Sequence, residues 1–198
     1  MKYMAGLPDK AFELAIVDPP YGAFDAINPV SSLNKYNAKR GNYKEFKNVV
    51  PSDKYFSELS RVAKNYIIWG GNYFNVTGGV IVWQKNGTAF GEGEIAICST
   101  HKSVRFFEYT WNGMLQEDMK NKEVRIHPTQ KPIALYRWLL HNYAKPGDRI
   151  LDTHLGSGSS AIAAHQMGFD FVGTELDKDY YEAACKRFKE QTAQQKLF

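Results

Sequence analysis

The chain has 198 residues, enough for one α/β unit with a properly buried core and too few for two full ones. It is 43% hydrophobic and 23% charged with a formal charge of +4. That composition excludes a disordered or fibrous chain, and no apolar run reaches the length needed to cross a bilayer.

The N-terminus, Met1-Lys2-Tyr3-Met4-Ala5-Gly6-Leu7-Pro8, has no apolar core of signal-peptide length. Glu13 to Val17 is a short apolar run that stops at Asp18-Pro19-Pro20-Tyr21, where the prolines forbid both a helix and a central strand. Asp53 to Asn65 has helical spacing, with Tyr55, Phe56, Leu59, Val62 and Ala63 on one face. Tyr66 to Trp69 and Gly79 to Trp83 read as strands, and Glu94 to Cys98 with Val104 to Trp111 as a further pair. Pro132 to Tyr143 is predicted helical, with proline in the tolerated first turn. Arg149 to Asp152 is a strand, Gly156-Ser157-Gly158 a tight turn, and Ser159 to Gly168 a helix ended by glycine. Phe169 to Leu176 is the next strand, after which Asp177 caps a final helix carrying Tyr181, Ala184, Cys185 and Phe188. Strands alternating with helices predict an α/β fold, a mostly parallel sheet with helices on both faces. One unit spanning 1–198 is expected, with 22–51 and 85–125 as candidate insertions. Cys98 and Cys185 have no metal-ligand spacing and read as reduced, buried thiols; no metal site, and a cytoplasmic protein, are expected.

The positive charge is concentrated. Lys35, Lys39, Arg40, Lys44 and Lys47 stand between Asn34 and Asn48 against the single acid Glu45, interleaved with Tyr36, Tyr43 and Phe46. Such a segment suits phosphates and exposed bases, although a solvated loop has the same composition.

Two places carry chemistry. The strand–glycine turn–helix–strand–acid arrangement from Asp152 to Glu175 suits an adenosine-containing cofactor. Gly156 and Gly158 allow close backbone approach, the following helix N-terminus offers free N–H groups, and Glu175, nineteen positions after Gly156, lies where ribose hydroxyls need an acceptor. Gly156-x-Gly158-x-x-Ala161 also fits a relaxed dinucleotide pattern, so NAD is an open reading at this point. Asp152, just before the turn, would repel a pyrophosphate and can accept from a cofactor amino group.

The second place is Asp18-Pro19-Pro20-Tyr21, at the C-terminal end of a strand, where α/β folds bind their ligands. An amino group conjugated to a heteroaromatic ring is a poor nucleophile because its lone pair is delocalised. The Asp18 carboxylate and the Pro19 carbonyl can hold its two hydrogens, Pro20 stiffens the turn, and Tyr21 can stack on a base taken out of a duplex. Attack on a sulfonium methyl then needs alignment and a dry pocket, and no covalent nucleophile.

With both places in view the chain resembles the β group of DNA amino-methyltransferases, in which the DPPY motif precedes the cofactor glycine loop. His127-Pro128-Thr129-Gln130-Lys131-Pro132 is similar to that family's HPTQKP segment, and Trp69-Gly70-Gly71-Asn72-Tyr73-Phe74 to a stretch in several phage and bacterial members. The resemblance implies a Rossmann-like S-adenosylmethionine-dependent methyltransferase fold that acts on DNA and releases S-adenosylhomocysteine. It implies catalytic roles for Asp18, Pro19, Pro20 and Tyr21. Thr129, Lys131, Asp152, Gly156, Ser157, Gly158 and Glu175 would bind the cofactor, with Thr129 and Lys131 facing its carboxylate. Lys35, Lys39, Arg40, Lys44 and Lys47 are the expected phosphate contacts. Aspartate at position 18, where the cytosine-N4 enzymes more typically have serine, favours adenine N6.

Three departures stand out. The glycine loop reads Asp152-Thr153-His154-Leu155-Gly156, where many relatives have Pro and Phe after Asp, and His154 is expected to pack as a neutral side chain. There is no room before the DPPY strand for the strand that often precedes it. No separate target-recognition domain of usual size is evident, which predicts loose site selection or reliance on a homodimer. RNA or protein amino-methyltransferases usually carry the two motifs in the opposite order. An NAD-dependent oxidoreductase would leave Asp18-Pro19-Pro20-Tyr21 without a use, and a non-catalytic binding module would bind cofactor without transfer.

Overall fold

A computed structural model of the chain describes residues 2–22, 49–86, 92–111 and 115–193. The elements in chain order are α1 (Lys2–Ala5), β1 (Phe12–Val17), α2 (Asp53–Val62), β2 (Ala63–Trp69), a 3₁₀ turn (Gly71–Tyr73), β3 (Gly79–Gln84), β4 (Gly93–Cys98) and β5 (Val104–Glu108). Then come α3 (Ile133–Tyr143), β6 (Arg149–Asp152), α4 (Ser159–Gln166), β7 (Asp170–Gly173) and α5 (Lys178–Ala193). The seven strands form one sheet in the order β5-β3-β4-β2-β1-β6-β7. Pairing is parallel at β1–β2, β1–β6, β6–β7 and β3–β5, whereas β4 is antiparallel to both β2 and β3. Six strands therefore point one way and β4 alone is reversed.

Apart from Glu13 near its start, β1 is apolar because it is central and covered on both faces. Its alternate residues divide between two cores. Leu14 and Ile16 join Ile67, Trp69 and Ile150 beneath α3 and α4, through Leu135, Leu139 and Ile162. Ala15 and Val17 join Ile68 and Leu151 beneath α1 and α2, through Met4, Tyr55, Leu59 and Val62. The predicted helix over 53–65 stops at Val62, because Ala63 and Asn65 pair with Phe12 and Leu14 in the parallel ladder. The last strand ends at Gly173 rather than Leu176, since the residues beyond it turn back onto the glycine loop.

β4 and β5 are not partners of each other. They flank β3, with Val80 opposite both Ile97 and Val104. The 99–103 connection crosses the start of β3, where the His101 and Ser103 carbonyls accept from the Gly79 and Val80 N–H groups. A Cβ on Gly79 would stand 2.1 Å from the His101 ring, so the crossing needs glycine there. Among the described residues no helix is long and apolar enough to span a membrane.

Candidate active site

The chain runs outward from β1 to α2 and β2, and in the opposite direction from β6 to α4 and β7. This switch point at the C-terminal ends of β1 and β6 is where open α/β sheets bind ligands. Asp18 leaves β1 and Asp152 closes β6, so the two motifs, far apart in sequence, meet there.

On the β1 side, Asp18 is largely buried. Its Oδ2 accepts a hydrogen bond from Lys131 Nζ at 2.6 Å, while its buried Oδ1 has no partner among the described residues. Lys131, 4% exposed, also donates to Glu94 Oε2 at 2.9 Å, and the other oxygen of Glu94 accepts from Lys85. The Lys131 ammonium lies 5.3 Å from the Trp69 ring centroid. Burial would disfavour this ammonium, but Asp18 and Glu94 outweigh burial and hold its pKa well above the ordinary lysine value. Burial would likewise raise Glu94, yet Lys131 and Lys85 together hold it down at about 2. At Asp18 burial wins over Lys131, and the carboxyl is pushed up.

Tyr21 stacks in parallel on Tyr73, with centroids 5.0 Å apart and planes 2° from parallel. Its ring rests on Gly70, whose φ is +64° and where a Cβ would come within 2.4 Å of the ring. Gly70 begins the 3₁₀ turn after β2, a close approach that only glycine permits.

On the β6 side, Asp152 is 1% exposed; its Oδ1 accepts from the His154 N–H at 2.9 Å and its Oδ2 from Ser160 Oγ at 2.6 Å. Burial, the largest influence, pushes this carboxyl up to about 7 despite those hydrogen bonds, and the Asp18 charge adds to the rise. Gly156 and Gly158 adopt φ of +51° and +76°. Glu175 Oε2 accepts from the Gly156 N–H at 2.8 Å, and Oε1 accepts from Leu176 and Asp177 N–H groups at 2.8 and 3.0 Å. Glu175 thus organises the loop as well as bordering it. Asp177 Oδ1 then caps α5 by accepting from Asp179 and Tyr180.

The HPTQKP segment lies against this loop. His127 packs edge-on to Tyr180, with centroids 4.3 Å apart, and its Nδ1 stands 3.1 Å from Thr129 Oγ1. Gln130, also buried, accepts from the Ile126 N–H through its side chain and from Trp111 Nε1 through its carbonyl. Ser159 Oγ donates to the Lys131 carbonyl at 2.7 Å, and Arg187 from α5 donates to Ser159 Oγ and to the Ser157 carbonyl, each at 2.9 Å. His154 packs against Tyr55, near the Thr153 and Tyr55 hydroxyls, and burial holds its imidazole down at about 4, so it is neutral.

One wall therefore brings together Asp18, Tyr21, Thr129, Lys131, Asp152, Gly156, Ser157, Gly158 and Glu175. In the structure the Lys131 ammonium is engaged by Asp18 and Glu94. Lys35, Lys39, Arg40, Lys44 and Lys47 lie outside the described residues, as does most of 22–51. Within 85–125, β4 and β5 are strands of the sheet, and Lys85 and Glu94 point into the site. Sequence reading missed Glu94, Lys85, Tyr73, Gly70 and Arg187. Four had a signal: Gly70 and Tyr73 lie in the Trp69 to Phe74 stretch that resembles the family, Glu94 is in phase with buried Ala96 and Cys98, and Arg187 with buried Tyr180 and Ala184. A charge on a buried face needs a partner.

The residues fit an adenosine-containing cofactor. A Cβ on Gly156 would lie in ordinary van der Waals contact with the His127 ring at 3.8 Å, so the loop backbone faces the HPTQKP segment there. On the β1 side stands a buried carboxylate oxygen, Asp18 Oδ1, that has no partner among the described residues. A separate groove of about 610 Å³, lined by His101, Phe106, Trp138 and Tyr143 among others, lies at the β5 edge and carries none of the motif residues. Among the described residues no three His, Cys, Asp or Glu side chains cluster as a metal site.

A family model described as DNA methylase, of the N6/N4 type, matches residues 34–186. Over 79 residues, 40% of this chain, the sequence is 37% identical to the type II methyltransferase M2.DpnII of Streptococcus pneumoniae. That match spans 29% of the relative, under a third of its length. Among solved structures, the M1.HpyAVI–SAM complex superposes with a TM-score of 0.55 at 20% identity, covering 93% of this chain and 91% of that one. The cytosine-N4-specific PvuII DNA methyltransferase gives 0.58 at 10% identity, covering 96% and 86%. At these identities the structural likeness concerns the fold.

Proposed function

We propose that this chain, which belongs to the N6/N4 DNA methylase family, transfers the methyl group of S-adenosylmethionine to the exocyclic N6 of adenine in DNA. The observation that carries the reading is the buried Oδ1 of Asp18, without a partner among the described residues, at the switch point shared with the glycine loop.

Gly156, Gly158 and Glu175 would hold the adenosine part of the cofactor, and Asp152 and Thr129 its amino-acid part, with Ser157 closing the loop and Lys131, its ammonium held by Asp18 and Glu94, bordering the site. The bound cofactor supplies an electrophilic methyl on a sulfonium. On the β1 side, Asp18 Oδ1 and the Pro19 carbonyl accept the two amine hydrogens. They draw the nitrogen lone pair out of conjugation and aim it at the methyl. Pro20 fixes the turn, and Tyr21 provides the aromatic face for the extruded base. As the nitrogen takes the methyl, the amine would give up one proton, which Asp18 Oδ1, already accepting that hydrogen, is placed to receive. Lys35, Lys39, Arg40, Lys44 and Lys47 would neutralise phosphates.

Cytosine N4 is the second reading. It has the same exocyclic amine chemistry, and the PvuII enzyme that shares the fold is cytosine-N4-specific. Aspartate at position 18 favours adenine. Labelled S-adenosylmethionine incubated with mixed-sequence duplex DNA, followed by nucleoside digestion and mass spectrometry, separates the two. N6-methyladenine supports the proposal, N4-methylcytosine replaces the target, and no methylated nucleoside overturns DNA as the substrate.

A further inference from the structure

Lys85, Glu94, Lys131 and Asp18 form a line of alternating charge from the end of β3, through β4 and the HPTQKP loop, to the end of β1. Both carboxylate oxygens of Glu94 are engaged by ammonium groups, whereas Asp18 spends one oxygen on Lys131 and the other has no partner among the described residues. No motif of the site accounts for Glu94, an acid on the buried side of a strand. An ammonium held by one carboxylate neutralises it more fully than one divided between two. The division has a direct consequence at the free oxygen: the less charge Lys131 draws from Asp18, the stronger an acceptor Oδ1 remains.

Resting on the methyl-transfer reading above, we propose that Glu94 is a positioning residue for the reaction. By sharing the Lys131 ammonium it keeps Asp18 a strong hydrogen-bond acceptor for the target amine. Lys85 fixes the outer oxygen of Glu94 and limits how far Glu94 can draw Lys131 away. The other titratable groups facing Asp18 are Tyr21 from its own loop, Asp152 from the end of β6 and Tyr136 from α3. The electrostatic directions agree with this arrangement: at Asp18, burial and Glu94 favour the protonated form, while Lys131 and Lys85 oppose it.

Two substitutions push the line in opposite directions. Glu94→Gln keeps the shape and leaves Lys131 wholly to Asp18, which should lower the Asp18 titration midpoint by about one pH unit or more. Lys85→Met frees Glu94 to draw Lys131 toward itself and should raise the midpoint. The midpoint is read by carbon-13 NMR of aspartate carboxyls in the unliganded protein, with Asp18→Asn to assign the resonance. In steady-state transfer, Glu94→Gln should lower kcat about tenfold and move the acid limb of its pH profile down, with KM for DNA nearly unchanged; Lys85→Met should move that limb up. Midpoints that stay put, or move the same way in both variants, overturn the sharing of Lys131. Midpoints that move as expected while kcat and its acid limb do not follow overturn the role in transfer. A wild-type protein that methylates no DNA overturns the functional reading instead, and the NMR titration still decides the electrostatic one.

Discussion

Replacing Asp152 by asparagine is expected to stabilise the unliganded protein at pH 8 while weakening its hold on the cofactor. The Asp152 carboxylate is buried at the end of β6, and burial outweighs its hydrogen bonds to Ser160 and the His154 N–H, pushing the carboxyl from 3.8 up to about 7. Below pH 3.8 the group is protonated in both the folded and the unfolded chain and contributes nothing to pH dependence. Between 3.8 and about 7 the unfolded chain has lost the proton and the folded chain keeps it, so stability falls as pH rises. Above about 7 the full penalty applies, about 4 kcal/mol at 1.36 kcal/mol per tenfold change in proton affinity. Asparagine carries no such penalty. Its carboxamide oxygen can accept from His154 and its NH₂ can donate to Ser160 Oγ. Thermal melts of parent and variant at pH 5, 6.5 and 8 should show a Tm gap that widens with pH, to at most about 16 °C for a chain of this size. Titration calorimetry should show weaker cofactor binding by the variant, because a charged acceptor for the cofactor's amino group is lost. A gap equal at pH 5 and pH 8, or a variant less stable than its parent at pH 8, would refute the desolvation account.

Asp18→Ala should abolish methyl transfer while cofactor still raises Tm, since the alanine removes the acceptor and leaves the glycine loop intact; retained transfer would remove Asp18 from the mechanism. Gly70→Ala should cost about 1–2 kcal/mol for its left-handed backbone and displace the Tyr21 ring besides. Near-parental stability and transfer in that variant would contradict the close packing of Tyr21. Arg187→Ala leaves the Glu123 carboxylate, held by the Ile133 N–H, without its guanidinium and removes the hydrogen bonds to the Ser157 carbonyl and Ser159 Oγ, so a loss of about 3 kcal/mol in denaturant melts is expected, with weaker cofactor binding. Changing Lys39 and Arg40 together to alanine should weaken DNA binding and flatten the slope of log K against log salt by about 2; an unchanged slope would place the phosphate contacts elsewhere.

Much of the molecule was legible in its sequence because the signals are local. The run Glu13 to Val17 stopped by two prolines, the helical spacing over 53–62, and the strand, glycine turn and helix from Arg149 to Gln166 each follow from backbone preference and periodicity within one segment. The pairing of the DPPY strand with the cofactor loop was also available, though only through the ordered resemblance of three motifs to a family. The boundaries that misled were those set by neighbours. Ala63 to Asn65 keep helical apolar spacing but pair with β1, and Thr174 to Leu176 look like strand but are pulled into a turn by the Glu175 carboxylate.

What tertiary structure alone decided is which charges meet. Residue type and spacing identify Asp18 and Lys131 as functional, but nothing local says that Lys131, 113 positions away, donates to Asp18 and divides its charge with Glu94. The order of the strands decides that, by setting β4 beside β2 and β2 beside β1, so that the ends of three elements converge on one ammonium. A buried charge is tolerable only where a partner stands. The sequence by itself determines that such charges exist and which segments carry them, and the folded sheet determines their partners, because strand order is a long-range property that no single segment encodes.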